Sequence, residues 1–194
     1  MTRIGEVIES SSSSFTAQCY ELHQPPPLGS LVRCQDAQGE VFGVVAHAAT
    51  SSLEPGRRPI ARGREVAEAE DIYREHPQLA RLLRTVFSTL IVGYREGGQL
   101  KQYLPPLPPY LHSFVYLCGD DEIVEFSRSF DFLSLLVEAG GPVPAEELIA
   151  ATLRQLSLAR EDRRGFLVAA GKELALLLAG DLHRLDTILR KIRA

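Results

Sequence analysis

The sequence predicts an α+β protein: a β-rich sheet or barrel over residues 1–119, interrupted by a helical insertion at about 65–84, then an all-α segment over residues 120–194. Three observations predict it. Up to residue 62, short β-branched and aromatic runs are separated by turn residues, the pattern of an antiparallel sheet or barrel. From Glu65 the apolar spacing changes from period 2 to period 3.6. From Asp120 onward the helical spacing continues to the end.

The first four strands are expected at about 3–9, 14–20, 30–35 and 40–49. The serines at 10–14 fall between two of them and read as a hairpin loop. "HQPPPLGS" is the next connection: Pro25, Pro26 and Pro27 cannot donate ladder hydrogen bonds, and Gly29 is free to take a positive φ. "DAQGE" closes the third turn. In "HPQLARLLRTVF", Leu79, Leu82, Leu83 and Val86 lie at i, i+3, i+4 and i+7 behind Pro77, which predicts a short amphipathic helix. "FSTLIVGYREGGQLKQYL" reads as strand, Gly-Gly turn and strand, and "HSFVYLCG" as a further strand. Between them "QYLPPLPPYL" is an extended connection. It satisfies the P-x-x-P docking pattern twice, yet docking peptides usually lie in disordered tails rather than between strands.

In the helical part, Asp120 is expected to cap one helix through "DEIVEFSRSFDFLSLLVEA", stopped by Gly140, Gly141 and Pro142. "PAEELIAATLRQL" opens a second, with Pro144 in the first turn and Glu146 and Glu147 at the positive end of the dipole. A last long stripe carries Leu174, Leu177, Leu178, Leu182, Leu185, Leu189 and Ile192, and ends in Arg190, Lys191 and Arg193.

Composition narrows the function classes. At 194 residues, with 45% apolar and 24% charged residues, the chain has the profile of a folded globular protein of one large or two small domains. A net charge of −4 argues against a nonspecific nucleic-acid coat and leaves room only for a local basic patch. The cysteines, Cys19, Cys34 and Cys118, are odd in number and lack C-x-x-C spacing, which predicts buried thiols in a reducing cytoplasm, with neither disulfide nor zinc site. "MTRIGEVIES" lacks the apolar core, about 7–15 residues, of a signal peptide. The apolar runs fall short of the ~20 residues of a membrane helix.

No motif assembles catalysis. "GFLVAAGKE", from Gly165 to Glu173, departs from a P-loop in its glycine spacing, in a glutamate where the hydroxyl belongs, and in its helical context. His23, His47, His76, His112 and His183 are scattered without metal-ligand spacing. Asp120, Asp121, Glu122 and Glu125 read as a charged helix start rather than a cation site. There is no G-x-S-x-G elbow. The one concentrated basic element is "RRPIARGR", whose Arg57, Arg58, Arg62 and Arg64 are candidate nucleic-acid contacts, because guanidinium forks match phosphates; the alternative is a solvated loop with arginines paired to Glu65, Glu68 or Glu70.

Taken in order, Ile4-Gly5, Leu28-Gly29 with Val32, Gly43 with Val44, Gly93-Tyr94, Gly97-Gly98, the prolines at 105–109 and Val115-Tyr116 resemble the HAS barrel, the amino-terminal domain of HerA-type DNA-translocating ATPases. The resemblance implies a six-stranded barrel in which the prolines cross from the penultimate to the last strand. In those ATPases and in rotary ATP synthase subunits, such barrels form rings and dock partners. It does not imply ATP hydrolysis, because where the ATPases continue into a P-loop core this chain continues as helix with no Walker motif. The expected function is a non-enzymatic protein-interaction or oligomerisation module, cytoplasmic, without cofactor or metal, whose partner is another protein or a second copy. The alternative is an accessory factor in DNA processing that contacts nucleic acid through the arginine loop.

Overall fold

In the computed structural model, which describes residues 2–37, 39–54, 56, 58–64 and 66–193, seven strands and six α-helices are found. The strands are β1 (Thr2–Ser10), β2 (Ser14–Cys19), β3 (Leu31–Asp36), β4 (Gly39–Ser52), β5 (Leu83–Glu96), β6 (Gln99–Lys101) and β7 (Phe114–Leu117). Every pairing is antiparallel, in the order β2-β1-β7-β3-β4-β5-β6, and a further β2–β5 pairing closes six strands into a barrel. β6 pairs only with the far end of β5 and stands outside the ring as a spur. Closure requires strands to bend, and register shifts supply the bends: between Arg3 and Gly5, Val7 and Glu9, Phe42 and Gly43, and Val45 and His47.

Strand alternation fills the interior. Val7, Phe15, Ala17, Val32, Cys34, Val45, Phe87, Ile91 and Val115 form a buried cluster inside the barrel. At Gly43 the inward position is empty, and the Phe15 ring occupies the space, 3.2 Å from where a Cβ would stand. The Gly97-Gly98 turn between β5 and β6 takes positive φ at both residues (57° and 80°), the two-residue hairpin geometry that such a pair allows.

The insertion between β4 and β5 holds helix α1 (Ala69–Glu75) and a 3₁₀ turn over Pro77–Arg81. The amphipathic helix expected through Val86 is therefore not formed: Leu83 already begins β5. From there Thr85, Phe87, Thr89 and Ile91 are buried at every second position, so the barrel's period of 2 overrides a local 3.6 match that reaches only four apolar residues.

The helical part carries α2 (Asp120–Phe126), α3 (Leu133–Val137), α4 (Ala145–Leu158), α5 (Arg163–Leu177) and α6 (Leu182–Arg193). Two expected continuous helices are broken. The cap of α2 is Gly119, not Asp120, with the Glu122 carboxylate accepting from the Gly119 N–H at 3.0 Å. Residues 127–132 then leave the helix where side chains take up the carbonyls at the end of α2. The Ser127 hydroxyl donates back to the Ile123 carbonyl at 2.6 Å, and Arg160 Nη2 donates to the Val124 and Ser127 carbonyls at 3.1 and 2.9 Å. The last stripe divides at Asp181, whose carboxylate accepts from the Arg184 N–H at 3.0 Å and starts α6.

Helices and barrel share one apolar cluster. Leu31, Phe42, Val44 and Val92 point outward from β3, β4 and β5 and pack with Phe126, Phe132, Leu133, Leu136, Leu148 and Leu153. Gly29 (φ 83°) lies against α4: a Cβ there would stand 2.4 Å from the Thr152 nitrogen. Among the described residues, no helix is long and apolar enough to cross a membrane.

Candidate interaction surfaces

The arginine loop follows β4 and precedes α1. Arg58 and Arg62 line a cleft of about 350 Å³ whose other walls include Ile60, Ile72, Leu79 and Leu83; Arg64 is exposed but is not among its lining residues. Arg57 lies outside the described residues. Among the described residues, none of Arg58, Arg62 and Arg64 forms an ion pair, so the expected pairing with Glu68 or Glu70 is not made, while Glu65 lies outside the described residues. The structure thus brings two of the four arginines to one cleft, and that cleft is mainly apolar.

Two of the acidic residues at the start of α2, Glu122 and Glu125, bind the barrel. Arg95 Nη1 and Nη2 donate to both Glu125 oxygens at 2.9 Å, and Arg95 Nε donates to Glu40 at 2.9 Å. Arg33, buried beneath the Tyr116 ring, pairs with Glu40 and, at 3.0 Å, with Glu122. The Arg95 hydrogen bonds hold the Glu125 carboxyl below its ordinary value of 4.5. This chain of alternating charges clamps α2 onto β3, β4 and β5, a structural use that sequence separation conceals. Among the described residues, no group of three or more acidic, histidine or cysteine side chains is placed to hold a metal ion.

The three thiols are buried and free. Burial pushes Cys19 up to about 11 and Cys34 up to about 12, and Cys118 is raised as well. The thiolate, which is the nucleophile, is disfavoured at all three. "GFLVAAGKE" lies wholly within α5, so its glycines form no phosphate loop.

The proline segment, residues 102–113, runs from the spur β6 to β7, the strand that sits between β1 and β3. It is pinned at both ends. Gln102, buried, donates through Nε2 to the Phe126 and Ser129 carbonyls and accepts through Oε1 from the Phe132 N–H at 3.3 Å. Further on, the Ser10 hydroxyl donates to the Pro109 carbonyl at 2.7 Å, and the Tyr110 N–H donates to Asp36 at 3.1 Å. The His112 N–H donates to the Val7 carbonyl at 2.8 Å, and the Val7 N–H to the Ser113 carbonyl at 3.0 Å.

Prolines without N–H groups need no partner at four of these positions, which lets the strap lie outside any ladder. Held at these two ends, the strap carries Tyr103, Leu107, Tyr110 and Leu111, which are 55, 57, 52 and 57% exposed. Beside it Phe114 of β7 is stacked under the Arg3 guanidinium (4.4 Å), which also lies 5.5 Å from the exposed Tyr20 ring. Spacing between strands gives the segment a connecting role and leaves these side chains without one. The available signal was the interleaving of Leu and Tyr with Pro, which places apolar groups on a backbone that cannot fold them away.

Compared with protein-family models and with curated proteins, the chain matches none.

Proposed function

We propose that this chain is a non-enzymatic protein-interaction module built on a HAS-like barrel, with the proline strap as its principal contact surface. The observation that carries the reading is the strap, tied to the fold at both ends, presenting Leu107, Tyr110 and Leu111 to solvent. Apolar and tyrosine side chains on a proline-rich segment tied at both ends bind at lower entropic cost than on a free tail, since less ordering remains to be done on association. The HAS-like assignment draws support from a closed six-stranded barrel, a helical insertion between its fourth and fifth strands, and a proline crossing that enters the last barrel strand.

The test is affinity purification of the tagged chain from native lysate, washed at low and high salt, with a Leu107→Asp/Leu111→Asp variant in parallel. Both leucines are more than half exposed, so the variant should fold with a thermal midpoint within a few degrees of wild type. A protein partner that resists high salt and is lost with the variant is the expected result. Nucleic acid that elutes at high salt and is abolished by Arg58→Ala/Arg62→Ala/Arg64→Ala would replace this reading with the DNA-processing alternative.

A further inference from the structure

A second surface has its own charge logic. Helices α5 and α6 leave between them a groove of about 860 Å³ whose floor is Leu167, Val168, Gly171, Ala175, Leu189 and Ile192. On α5 the groove follows Arg164, Leu167, Val168, Gly171, Lys172 and Ala175, a stripe at helical spacing roughly 16 Å long at ~1.5 Å per residue. Gly171 faces Leu189 of α6, whose Cδ2 stands 3.3 Å from where a Cβ would be, and Ala175 one turn on adds only a methyl, so the two helices pack closely beneath the groove. Val168 is 52% exposed within it, and Leu176 and Leu182 nearby in sequence are 73% and 72% exposed.

The rim is entirely basic: Arg163, Arg164, Lys172 and Arg193. Among the described residues, none of these four forms an ion pair, whereas the neighbouring cations of α6 do: Arg184 pairs with Glu146, Arg190 with Asp186 and Lys191 with Glu147. Arg163 and Arg164 also occupy the first turn of α5, where positive charge opposes the helix dipole. Helix stability therefore does not account for their placement. Four unpaired cations around an apolar floor in a chain of net charge −4 form a local field of the opposite sign to the molecule.

We propose that the α5/α6 groove docks an acidic amphipathic helix of another protein, its apolar stripe on Leu167, Val168, Gly171 and Ala175 and its flanking carboxylates on Arg163, Arg164, Lys172 and Arg193. The length and i, i+3, i+4, i+7 character of the floor fit about three turns of a helix. A second copy docked on the same groove about a twofold axis would set the four cations against their equivalents, which charge disfavours. The proposal rests on the reading of the chain as an interaction module but uses a face that the strap does not share.

The probe is a synthetic helix of about 15 residues with leucine at i, i+3, i+4 and i+7 and glutamate on both flanks, compared with the same peptide carrying lysine for glutamate. By fluorescence anisotropy on the full chain, the acidic peptide is expected to bind with Kd on the order of 10 µM and the basic one at least about tenfold more weakly. Raising salt from ~50 to ~500 mM should weaken the acidic peptide several-fold without abolishing it, since the apolar floor is not screened.

Arg164→Glu and Lys172→Glu should each cost about fivefold to tenfold, and Val168→Asp about tenfold, with Leu107→Asp/Leu111→Asp leaving binding unchanged. Arg164, Lys172 and Val168 are exposed, so these variants keep the fold, which circular dichroism checks. Absence of saturable binding at about 1 mM peptide overturns the proposal. So does an oligothymidylate that binds more tightly than the peptide and is lost with Lys172→Glu, which would make the groove a nucleic-acid site. A dimer dissolved by Val168→Asp would equally overturn it in favour of a second copy. If the peptide fails while the strap variant still loses its salt-resistant partner, the groove falls and the module reading stands.

Discussion

Gln102 shows how much a single residue holds. Its amide donates to two carbonyls and accepts one N–H across the break between α2 and α3, so the end of the barrel spur fixes the path of the first helices. Gln102→Leu keeps the volume but strands those backbone groups in a buried site, and is expected to cost about 2–3 kcal/mol in urea denaturation. A loss within experimental error would mean the site is wet or relaxes freely. The carboxylates make a pH prediction. Glu125 is held below 4.5 by the Arg95 guanidinium, and Glu146 below 4.5 by its own backbone N–H and by Arg184.

A carboxylate with a lowered folded pKa stabilises the protein above its unfolded value and loses that contribution as pH falls through the folded one. Stability should therefore be level from neutral pH to near 5 and decline below 4.5, and Glu125→Gln should flatten the decline. A variant whose midpoint still falls as steeply as wild type would contradict this. None of these partners was legible in the sequence: Glu125 reads as one of several acids at a helix start, and Arg95 lies in a strand thirty residues away.

At the level of elements, legibility followed the length of the periodic signal. β1 to β4 match expectation to within a few residues because their β-branched and apolar runs, bounded by turn residues, extend over six to fourteen positions. The short match around Leu79 and Leu82 failed because four apolar residues fit a helix and the beginning of β5 alike. α4 was legible from Pro144, Glu146 and Glu147, whereas the gap between α2 and α3 depends on Gln102 and Arg160, contacts that no local pattern encodes. Gly29 was marked for its backbone freedom, yet its larger constraint is the approach of α4, which only the fold reveals. Gly29→Ala combines a left-handed φ with a Cβ forced onto the Thr152 nitrogen, so a loss of about 2 kcal/mol or more is expected by thermal or chemical unfolding. A change below ~0.5 kcal/mol would show that the loop moves off α4 easily.

For the whole molecule, the apolar cluster that runs from Phe42 and Val92 of the barrel into Phe126, Leu136 and Leu153 of the helices ties the two parts energetically. Barrel and helices should unfold in one transition, with tyrosine fluorescence and far-ultraviolet circular dichroism superimposing; separated midpoints would show two independently stable parts. The strap surface became visible only at this scale. Its prolines announced an extended path, but exposure of Leu107, Tyr110 and Leu111 depends on where that path crosses the barrel.

The central claim, that the strap is a protein contact, is tested most directly by light scattering of the complex captured through the wild-type chain, repeated with Leu107→Asp/Leu111→Asp. The account predicts a mass above 21.4 kDa for wild type, from a partner or a second copy, and loss of the strap-bound mass in the variant. A wild-type chain that stays at 21.4 kDa and retains no partner, or a variant that assembles as wild type does, would contradict it.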